Sequence, residues 1–336
     1  MRPVSGTYKS LPLIRLSLKR LVIPFIVLIV LSVQVVRAQQ NPILTQYMFN
    51  QMTFNPGYAG SNGGICVNGL IREQWLGFKG NEGEHRIAPE TIFLSVDAPV
   101  KFLHGALGGS IMMDRVGFFE NFGLKIGYAF RTEMGMGDFS AGLQANLMSY
   151  SIDFAKFDGH IIQSGDPVFQ DPDKKTDMTI DADLGVYYEV QDKYYIGLSA
   201  GQLFQSKAKN SNYKQRRTYY LTGGYNWMIP NHPTFELKPS ALFYYDGAVF
   251  GASVSALVTY KKKFWGGLEG RFYPFDNAIA ILAGANIKSF RIGMSYDIST
   301  SSLGRFSNGS IEVMLGYCFK ISVEKYRKRY KNTRFL

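Results

Sequence analysis

The residues best suited to chemistry lie in a polar segment between Phe154 and Met178. Within this segment His160 lies near Asp158 and Asp166, which loosely resembles the imidazole and carboxylate of a hydrolase. Hydrolysis needs a nucleophile, a base and an orienting group within hydrogen-bond reach, and this spacing offers no such set. The sequence therefore favours solvated loop residues here, and it predicts neither catalytic residues nor an enzyme.

Carboxylates in the same segment are candidate calcium ligands. They are Asp166, Asp171, Asp173 and Asp177. An EF-hand loop would add a central glycine and a terminal glutamate, and both are missing from this spacing. A polar surface loop rich in proline turns is therefore the default interpretation, and we predict no metal ion and no cofactor.

The two cysteines, Cys66 and Cys318, fall in the first and last predicted strands. If the strands close into a barrel, these two strands become neighbours and both thiols point inward near the same rim. Two interpretations stay open: a disulfide across the seam, formed in an oxidising compartment, or two independent small apolar residues. A Cα separation beyond about 7 Å would exclude the bond without backbone movement.

The elements that position these residues are strands with period-two alternation. From Leu124 to Arg131, large apolar residues alternate with lysine, glycine, alanine and arginine, and the same split recurs along the chain. A β-sandwich shares this pattern, but segments of about ten residues with aromatic ends favour a membrane barrel. We predict an all-β fold, a transmembrane antiparallel β-barrel of about 14 strands. The strands are expected to begin near Ile65, Glu90, His104, Asn121, Asp138, Thr179, Lys193, Arg216, Thr234, Ala248, Lys262, Ala278, Phe290 and Gly309.

Connection lengths indicate how the barrel is oriented. Connections after odd-numbered strands are mostly long, such as Glu73–Pro89 and Met113–Glu120, and those after even-numbered strands are mostly short, such as Gln191–Asp192. Bacterial barrels keep short turns in the periplasm and long loops outside. Because an even strand count places both chain ends on one side, we predict that both termini are periplasmic.

The first 38 residues have the pattern of an N-terminal signal peptide. A basic start is followed by the apolar run Leu21–Val36 and by a small-residue cleavage pattern ending at Ala38. The run is shorter than the roughly 20 residues of a membrane-spanning helix, although an uncleaved anchor is the rival interpretation. We therefore divide the chain into a signal peptide (1–38), a lead-in (39–63), an outer-membrane β-barrel (64–320) and a basic periplasmic tail (321–336).

The formal net charge of +11 is concentrated at the two ends of the chain. Residues 1–38 carry +6 and residues 320–336 another +6, which leaves −1 for the body. The basicity therefore forms no phosphate-binding face, and we predict no nucleic-acid partner. Both signs of charge are expected inside the barrel, which favours internal pairing over an ion-selective pore. The predicted lumenal charges are Arg72, Lys125, Arg131, Arg271, Lys288, Arg291, Asp181, Asp183, Glu189, Glu269, Asp297 and Glu312.

The lead-in contains a dense motif, QYMFNQMTFNPGYAGSN, from Gln46 to Asn62. Its Asn-Pro-Gly step stops regular structure, and its glycines allow sharp turns into the first strand. Its apolar side chains are too numerous to be left in water, so we predict that it packs against the barrel's inner wall or periplasmic rim and narrows the lumen. The motif residues are Tyr47, Phe49, Asn55, Pro56, Gly57, Tyr58 and Gly60.

This lead-in and several later motifs together resemble the PorP/SprF family of Bacteroidetes outer-membrane proteins. The resemblance spans the whole mature chain, and it is the order and spacing of the motifs that make it specific. One departure is Gly57, where the family often has alanine, and the turn should be unaltered. The later motifs are Arg72–Phe78, Phe93–Pro99, Asp114–Gly117, Gly165–Gln170, Ser295–Ile298 and Ser307–Glu312.

The resemblance implies an outer-membrane component of the type IX secretion system or of the linked gliding-motility apparatus. Members of the SprF type are paired with a secreted adhesin and support its export or surface attachment, and members of the PorP type are associated with periplasmic parts of the machine. The implied partners are an adhesin-like client, periplasmic secretion components and outer-membrane lipid, and no catalytic residues carry over. A passive outer-membrane channel or transporter is the alternative.

The basic tail is a candidate partner-binding surface. We predict that it binds an acidic periplasmic partner or the cell wall, and the other interpretation is a flexible end without a partner. Its basic residues are Lys325, Arg327, Lys328, Arg329, Lys331 and Arg334.

Overall fold

The computed structural model describes residues 42–78, 88–152, 175–209, 213–274 and 276–319. This part of the chain is all-β, with short 3-10 turns between its strands. No helix in the described part is long and apolar enough to cross a membrane. The strands are β1 Ile65–Glu73, β2 Glu90–Val100, β3 Gly105–Val116, β4 Phe119–Met134, β5 Gly137–Ile152, β6 Lys175–Val190, β7 Tyr194–Gly201, β8 Thr218–Tyr225, β9 Trp227–Met228, β10 Phe235–Tyr245, β11 Phe250–Tyr260, β12 Phe264–Phe272, β13 Ala278–Ile287, β14 Phe290–Ser299 and β15 Ser310–Phe319.

The sheet closes on itself as an antiparallel barrel of 14 strands. Each strand pairs with its neighbour in sequence, β10 pairs with both β8 and β11, and β15 pairs with β1. The short β9 is not counted in this ring. It pairs with β10, where Leu237 lies opposite Trp227. This is the same register in which β8 pairs with β10, where Ser240 lies opposite Gly224. The predicted all-β barrel of about 14 strands is confirmed.

Period-two alternation explains why these segments form the wall. In β14, Ile292, Met294 and Ile298 face outward, whereas Ser295 and Asp297 are buried inside. An apolar outer face suits lipid and a polar inner face suits a filled or wet lumen, so one strand satisfies both surroundings.

The barrel has two unlike ends. We call one the turn end, formed by residues 101–104, 135–136, 191–193, 226–234, 261–263 and 288–289. The other is the loop end, which carries residues 74–89, 153–174, 202–217 and 300–309 among its connections. Ile65 opposes Phe319, so β1 begins and β15 ends at the turn end.

One predicted long loop, Met113–Glu120, is wrong. The strands β3 and β4 stay paired as far as Val116 opposite Phe119, which leaves only Gly117 and Phe118 in the turn. Gly117 has φ +59°, a left-handed conformation that glycine adopts without the steric cost of a Cβ. The tight turn therefore depends on this one glycine, which the prediction of a long loop did not take into account.

The candidate functional site is a lead-in threaded through the lumen

The described part of the lead-in, residues 42–63, runs through the inside of the barrel from the loop end to the turn end. Thr45 contacts Arg72 and Asp297, which lie near the loop ends of β1 and β14. Near the other rim, the backbone N–H of Gly60 donates to Asp97 in the last third of β2 at 2.8 Å. The described lead-in thus enters the lumen at the loop end and reaches β1 at the turn end. The two chain ends, which we predict to be periplasmic, lie outside the described residues.

Apolar side chains of the lead-in fill the lumen. Tyr47, Met52 and Phe54 are all buried, and Phe49 packs against Trp265 with ring centroids 4.8 Å apart. Tyr58 meets Tyr187 edge to face at 5.6 Å. The segment therefore packs against the inner wall, as its composition predicted.

The Asn-Pro-Gly step fits a place where two backbones nearly touch. Asn55 Oδ1 accepts from the N–H of Gly57 at 2.9 Å, and its Nδ2 donates to the carbonyl of Val186 in β6 at 3.1 Å. A Cβ on Gly142 of β5 would lie 2.5 Å from the carbonyl carbon of Pro56, so no side chain fits on that part of the wall. Both the turn and its close approach to the wall thus depend on small residues.

A buried ionic cluster holds the lead-in at the loop end, and we call it the anchor cluster. Glu312 accepts the backbone N–H of Thr45 at 2.9 Å and that of Gln46 at 2.8 Å. Arg72 lies 3.2 Å from Glu312 and 2.8 Å from Asp297. Buried charges are costly unless they are paired and hydrogen-bonded, and here the lead-in supplies part of the pairing. The cluster comprises Thr45, Arg72, Glu269, Arg271, Asp297 and Glu312.

Thr45 joins the two arginines of the cluster to its carboxylates. Its Oγ1 donates to Asp297 at 2.8 Å and accepts from Arg72 at 2.6 Å and from Arg271 at 2.5 Å. Arg271 also lies 3.1 Å from Asp297 and 3.3 Å from Glu269. The lead-in motif found in the sequence begins at Gln46 and therefore does not include Thr45. The sequence pointed to this position only through the inward-facing charged residues near the loop ends of β1, β12, β14 and β15.

Two wall cations repeat the same arrangement further down the lumen. Lys125 bridges Asp183 and the carbonyl of Thr53, both at 3.0 Å. Arg131 lies 2.7 Å from Glu189 and donates to the carbonyl of Ala59. Each cation thus pairs with a carboxylate of the wall and also holds the lead-in backbone, so the predicted internal pairing occurs.

Lys288 is the exception among the predicted lumenal charges. It lies in the two-residue turn between β13 and β14, where its side chain is exposed. Its φ of +56° belongs to the turn and not to a strand, so alternation does not apply at this position. The prediction that Lys288 lines the lumen is therefore wrong.

One cavity beside the lead-in is small. A cavity of about 50 Å³ lies beside the lead-in toward the loop end, between Leu44, Phe93 and Tyr244. Such a volume holds only a few water molecules.

The cysteines face each other across the seam between the first and last strands. Cys66 opposes Cys318 with their Cα atoms 4.1 Å apart, and a disulfide joins them in the structure. The separation is below the limit of about 7 Å at which a bond would be excluded. Both residues lie near the turn end of their strands.

Part of the loop end is ordered by the wall beneath it. Asp181 accepts the backbone N–H groups of Phe204 and Ser206, each at 2.9 Å. Tyr213 packs against Tyr150 in a tilted arrangement with ring centroids 4.1 Å apart, and burial raises the pKa of the Tyr213 phenol. The base of the loop between β7 and β8 is thus a shaped surface above the lumen.

Several predicted residues lie outside the described part of the chain. These are His160 with Asp158, three of the four candidate calcium aspartates, and the six basic residues of the tail. The fourth aspartate, Asp177, is buried in β6. No group of three potential metal ligands occurs among the described residues.

Comparison with known proteins gives one family and a set of barrel structures. Residues 36–317 match the model of a family described as type IX secretion system membrane protein PorP/SprF. A search among curated proteins finds no match. The chain is similar to the monoaromatic hydrocarbon channel CymD, at 12% identity over 85% of this chain and 95% of that one, with a TM-score of 0.48.

Two further solved barrels are similar at comparable levels. The toluene transporter TbuX of Ralstonia pickettii shares 9% identity, covering 82% of this chain and 93% of that one with a TM-score of 0.49. The outer membrane protein Omp33 of Acinetobacter baumannii shares 8% identity, covering 76% and 99% with a TM-score of 0.43.

Proposed function

Because this outer-membrane β-barrel belongs to the PorP/SprF family of type IX secretion system membrane proteins, we propose that it supports the export or surface attachment of a secreted client. The client is adhesin-like, and the machine is the type IX secretion system or a linked motility apparatus. In this role the barrel is a non-enzymatic scaffold in the membrane. Periplasmic secretion components are its further partners.

The observation that carries this proposal is the filled lumen. The lead-in runs through the barrel, and its backbone is held by hydrogen bonds to three charged wall residues, the buried Glu312 and the part-buried Lys125 and Arg131. A passive channel needs a continuous aqueous path, whereas a scaffold needs only a rigid barrel with shaped ends. Rigidity is what a lumen packed with side chains and paired charges provides.

The two ends of the barrel would meet different partners. With the long loops outside, as is usual in bacterial barrels, the loop end faces the client, and the ordered loop base around Asp181 supports that surface. The turn end and the basic tail then face the periplasm. There Lys325, Arg327 and the other tail cations attract an acidic partner.

The proposal is tested by deleting the gene and comparing the secreted and surface proteins of the two strains by mass spectrometry. We expect the loss of one or a few surface proteins, restored by the full-length chain. A chain lacking residues 326–336 tests the tail separately: restored secretion together with unchanged co-purification of periplasmic components would remove the tail from the proposal. An unchanged set of surface proteins in the deletion strain would overturn the proposed function.

A second measurement distinguishes a scaffold from a channel. The purified barrel in a planar bilayer is expected to show no steady conductance, because the lead-in closes the lumen. The variant Tyr47→Ala/Met52→Ala/Phe54→Ala, which removes three buried side chains from the plug, is expected to conduct. Steady conductance of the unaltered protein, combined with normal secretion in the deletion strain, would favour the passive channel.

A further inference from the structure

Three of four consecutive connections at the turn end carry lysine, and the connection at residues 226–234 carries none. The turns at residues 191–193, 226–234, 261–263 and 288–289 contain five lysines, all exposed, and one acidic residue, Asp192. We call these five residues the lysine arc. Its members are Lys193, Lys261, Lys262, Lys263 and Lys288.

The arc is continuous because each turn is hydrogen-bonded to the next. The N–H of Asn226 donates to the carbonyl of Lys193 at 2.6 Å, and the N–H of Lys261 donates to that of Thr234 at 2.7 Å. Asn286, just before the last turn, donates to the carbonyl of Lys263 at 2.6 Å. The lysine-bearing turns therefore lie along one rim, with the lysine-free connection at residues 226–234 between Lys193 and Lys261.

The backbone of these turns does not favour lysine. Lys261, Lys262 and Lys288 have φ values of +50°, +55° and +56°, in the left-handed region that glycine, asparagine and aspartate occupy most readily. Asn231 and Asp192 on the same rim follow that preference. At the other three positions lysine adopts a backbone conformation that asparagine or glycine adopts more readily.

The arc lies at the level where the apolar wall ends. Tyr260, Phe264 and Phe290 are exposed on the outer face directly beside the turns, as expected for an aromatic belt at a membrane interface. Lys261 Nζ lies 5.2 Å from the centre of the Tyr260 ring, so this ammonium group lies on the lipid-facing side of the rim. Lysines just beyond an aromatic belt reach the phosphate groups of the adjacent lipids.

We propose that the lysine arc binds the headgroup phosphates of anionic phospholipids in the leaflet at the turn end. The ligand is phosphatidylglycerol or another phospholipid with net negative charge. Lys262 is partly neutralised, because its Nζ lies 3.6 Å from Asp192 and 3.7 Å from Glu236. Lys261, Lys263 and Lys288 are therefore the principal contacts. This binding holds whether or not the barrel serves secretion.

The test is the variant Lys261→Gln/Lys263→Gln/Lys288→Gln, which removes three charges and keeps an unbranched polar side chain that is one atom shorter. Its matched control is Lys207→Gln/Lys209→Gln/Lys214→Gln, which makes the same charge change on exposed residues of the loop end. Each full-length barrel is placed in nanodiscs of phosphatidylethanolamine with a small fraction of phosphatidylglycerol. Native mass spectrometry then counts the lipids that stay bound, with inorganic phosphate as the soluble competitor.

Unaltered barrel and control variant are expected to retain phosphatidylglycerol in preference to phosphatidylethanolamine, and phosphate should not displace it. Loss of three interfacial charges should weaken this retention by about 10- to 100-fold. Repeating the comparison in chains lacking residues 326–336 keeps the basic tail from hiding the effect. Heat-dependent gel mobility verifies that each variant is folded.

Equal retention of phosphatidylglycerol by the folded arc variant and the unaltered barrel, with or without the tail, would overturn the proposal. If equal retention came together with loss of co-purifying secretion components, the arc would be a protein-binding surface. If it came together with a secretion defect, the result would bear on the proposed function as well.

Discussion

Replacing Glu312 by glutamine should release the loop-end anchor of the lead-in. Its carboxylate accepts two backbone N–H groups, from Thr45 and Gln46, and pairs with Arg72 at 3.2 Å. Glutamine keeps the shape but offers one oxygen and one donating amide, so one of the two lead-in N–H groups would face another donor. Arg72 would keep Asp297 as its remaining charged partner, at 2.8 Å.

The expected cost is about 3 kcal/mol in the free energy of unfolding. Breaking a buried ion pair by removing one partner costs about 3–5 kcal/mol, and the lower value applies because Arg72 retains Asp297. The lost charge-assisted hydrogen bonds, worth about 1.5–3 kcal/mol each, are part of the same figure and are not added to it. The effect should spread along the lead-in, since Thr45 also joins Arg271 to the cluster.

The assay is urea unfolding of the purified barrel in lipid vesicles, followed by tryptophan fluorescence. Trp265 packs on Phe49 and reports directly on the lead-in. The control is Asp192→Asn, which removes an exposed carboxylate 3.6 Å from Lys262 and should change stability by less than about 0.5 kcal/mol. A loss of less than about 1 kcal/mol for Glu312→Gln, or an equal loss for the control, would refute the view that this carboxylate anchors the lead-in.

Three further predictions follow from the lumen and the seam. Gly142→Val should prevent the lead-in from docking at Pro56 and should lower the free energy of unfolding by about 1–3 kcal/mol. The control Gly223→Ala should be nearly neutral, because the nearest atom to an added Cβ is 3.5 Å away. Urea unfolding compares the two variants. Cys66→Ser/Cys318→Ser should lower the free energy of unfolding by about 2–4 kcal/mol, and the unaltered barrel under reducing conditions should behave like the variant; equal stability of all three would show that the bond does not constrain the seam. A cysteine at Pro42 should react in intact cells with a membrane-impermeant maleimide, whereas one at Gly63 should react only after the outer membrane is opened, and the reverse pattern would mean that the loop end faces the periplasm.

The strands could be predicted from the sequence because each is a long repeat of one simple signal. The expected starts at Ile65, Glu90, Ala278 and Phe290 are the starts found. Alternation shows which side chains of a strand face lipid. The side chains between them must then point inward, so the inward-facing residues could be predicted as well. It failed at Lys288 and in the turn after Val116, where backbone geometry and not burial decides the structure.

The site was less predictable because its contacts join distant parts of the chain. Thr45 and Glu312 are separated by 267 positions, and no local pattern marks either as the partner of the other. The composition of the lead-in predicted that it would be buried, since Met52 and Phe54 could not remain in water. Composition does not show which way a segment runs, however. The path of the lead-in from the loop end to the turn end therefore became clear only from the structure.

The threaded lead-in also sets an order of events for biogenesis. The seam joins β1 to β15, the last strand of the barrel to emerge from the ribosome, so the sheet must remain open until nearly the whole chain has been delivered to the membrane. Residues 42–62 precede β1, and Tyr47, Met52 and Phe54 are packed within the ring. Because these bulky side chains pack against the inside of the wall, we expect the lead-in to be enclosed as the sheet curls around it.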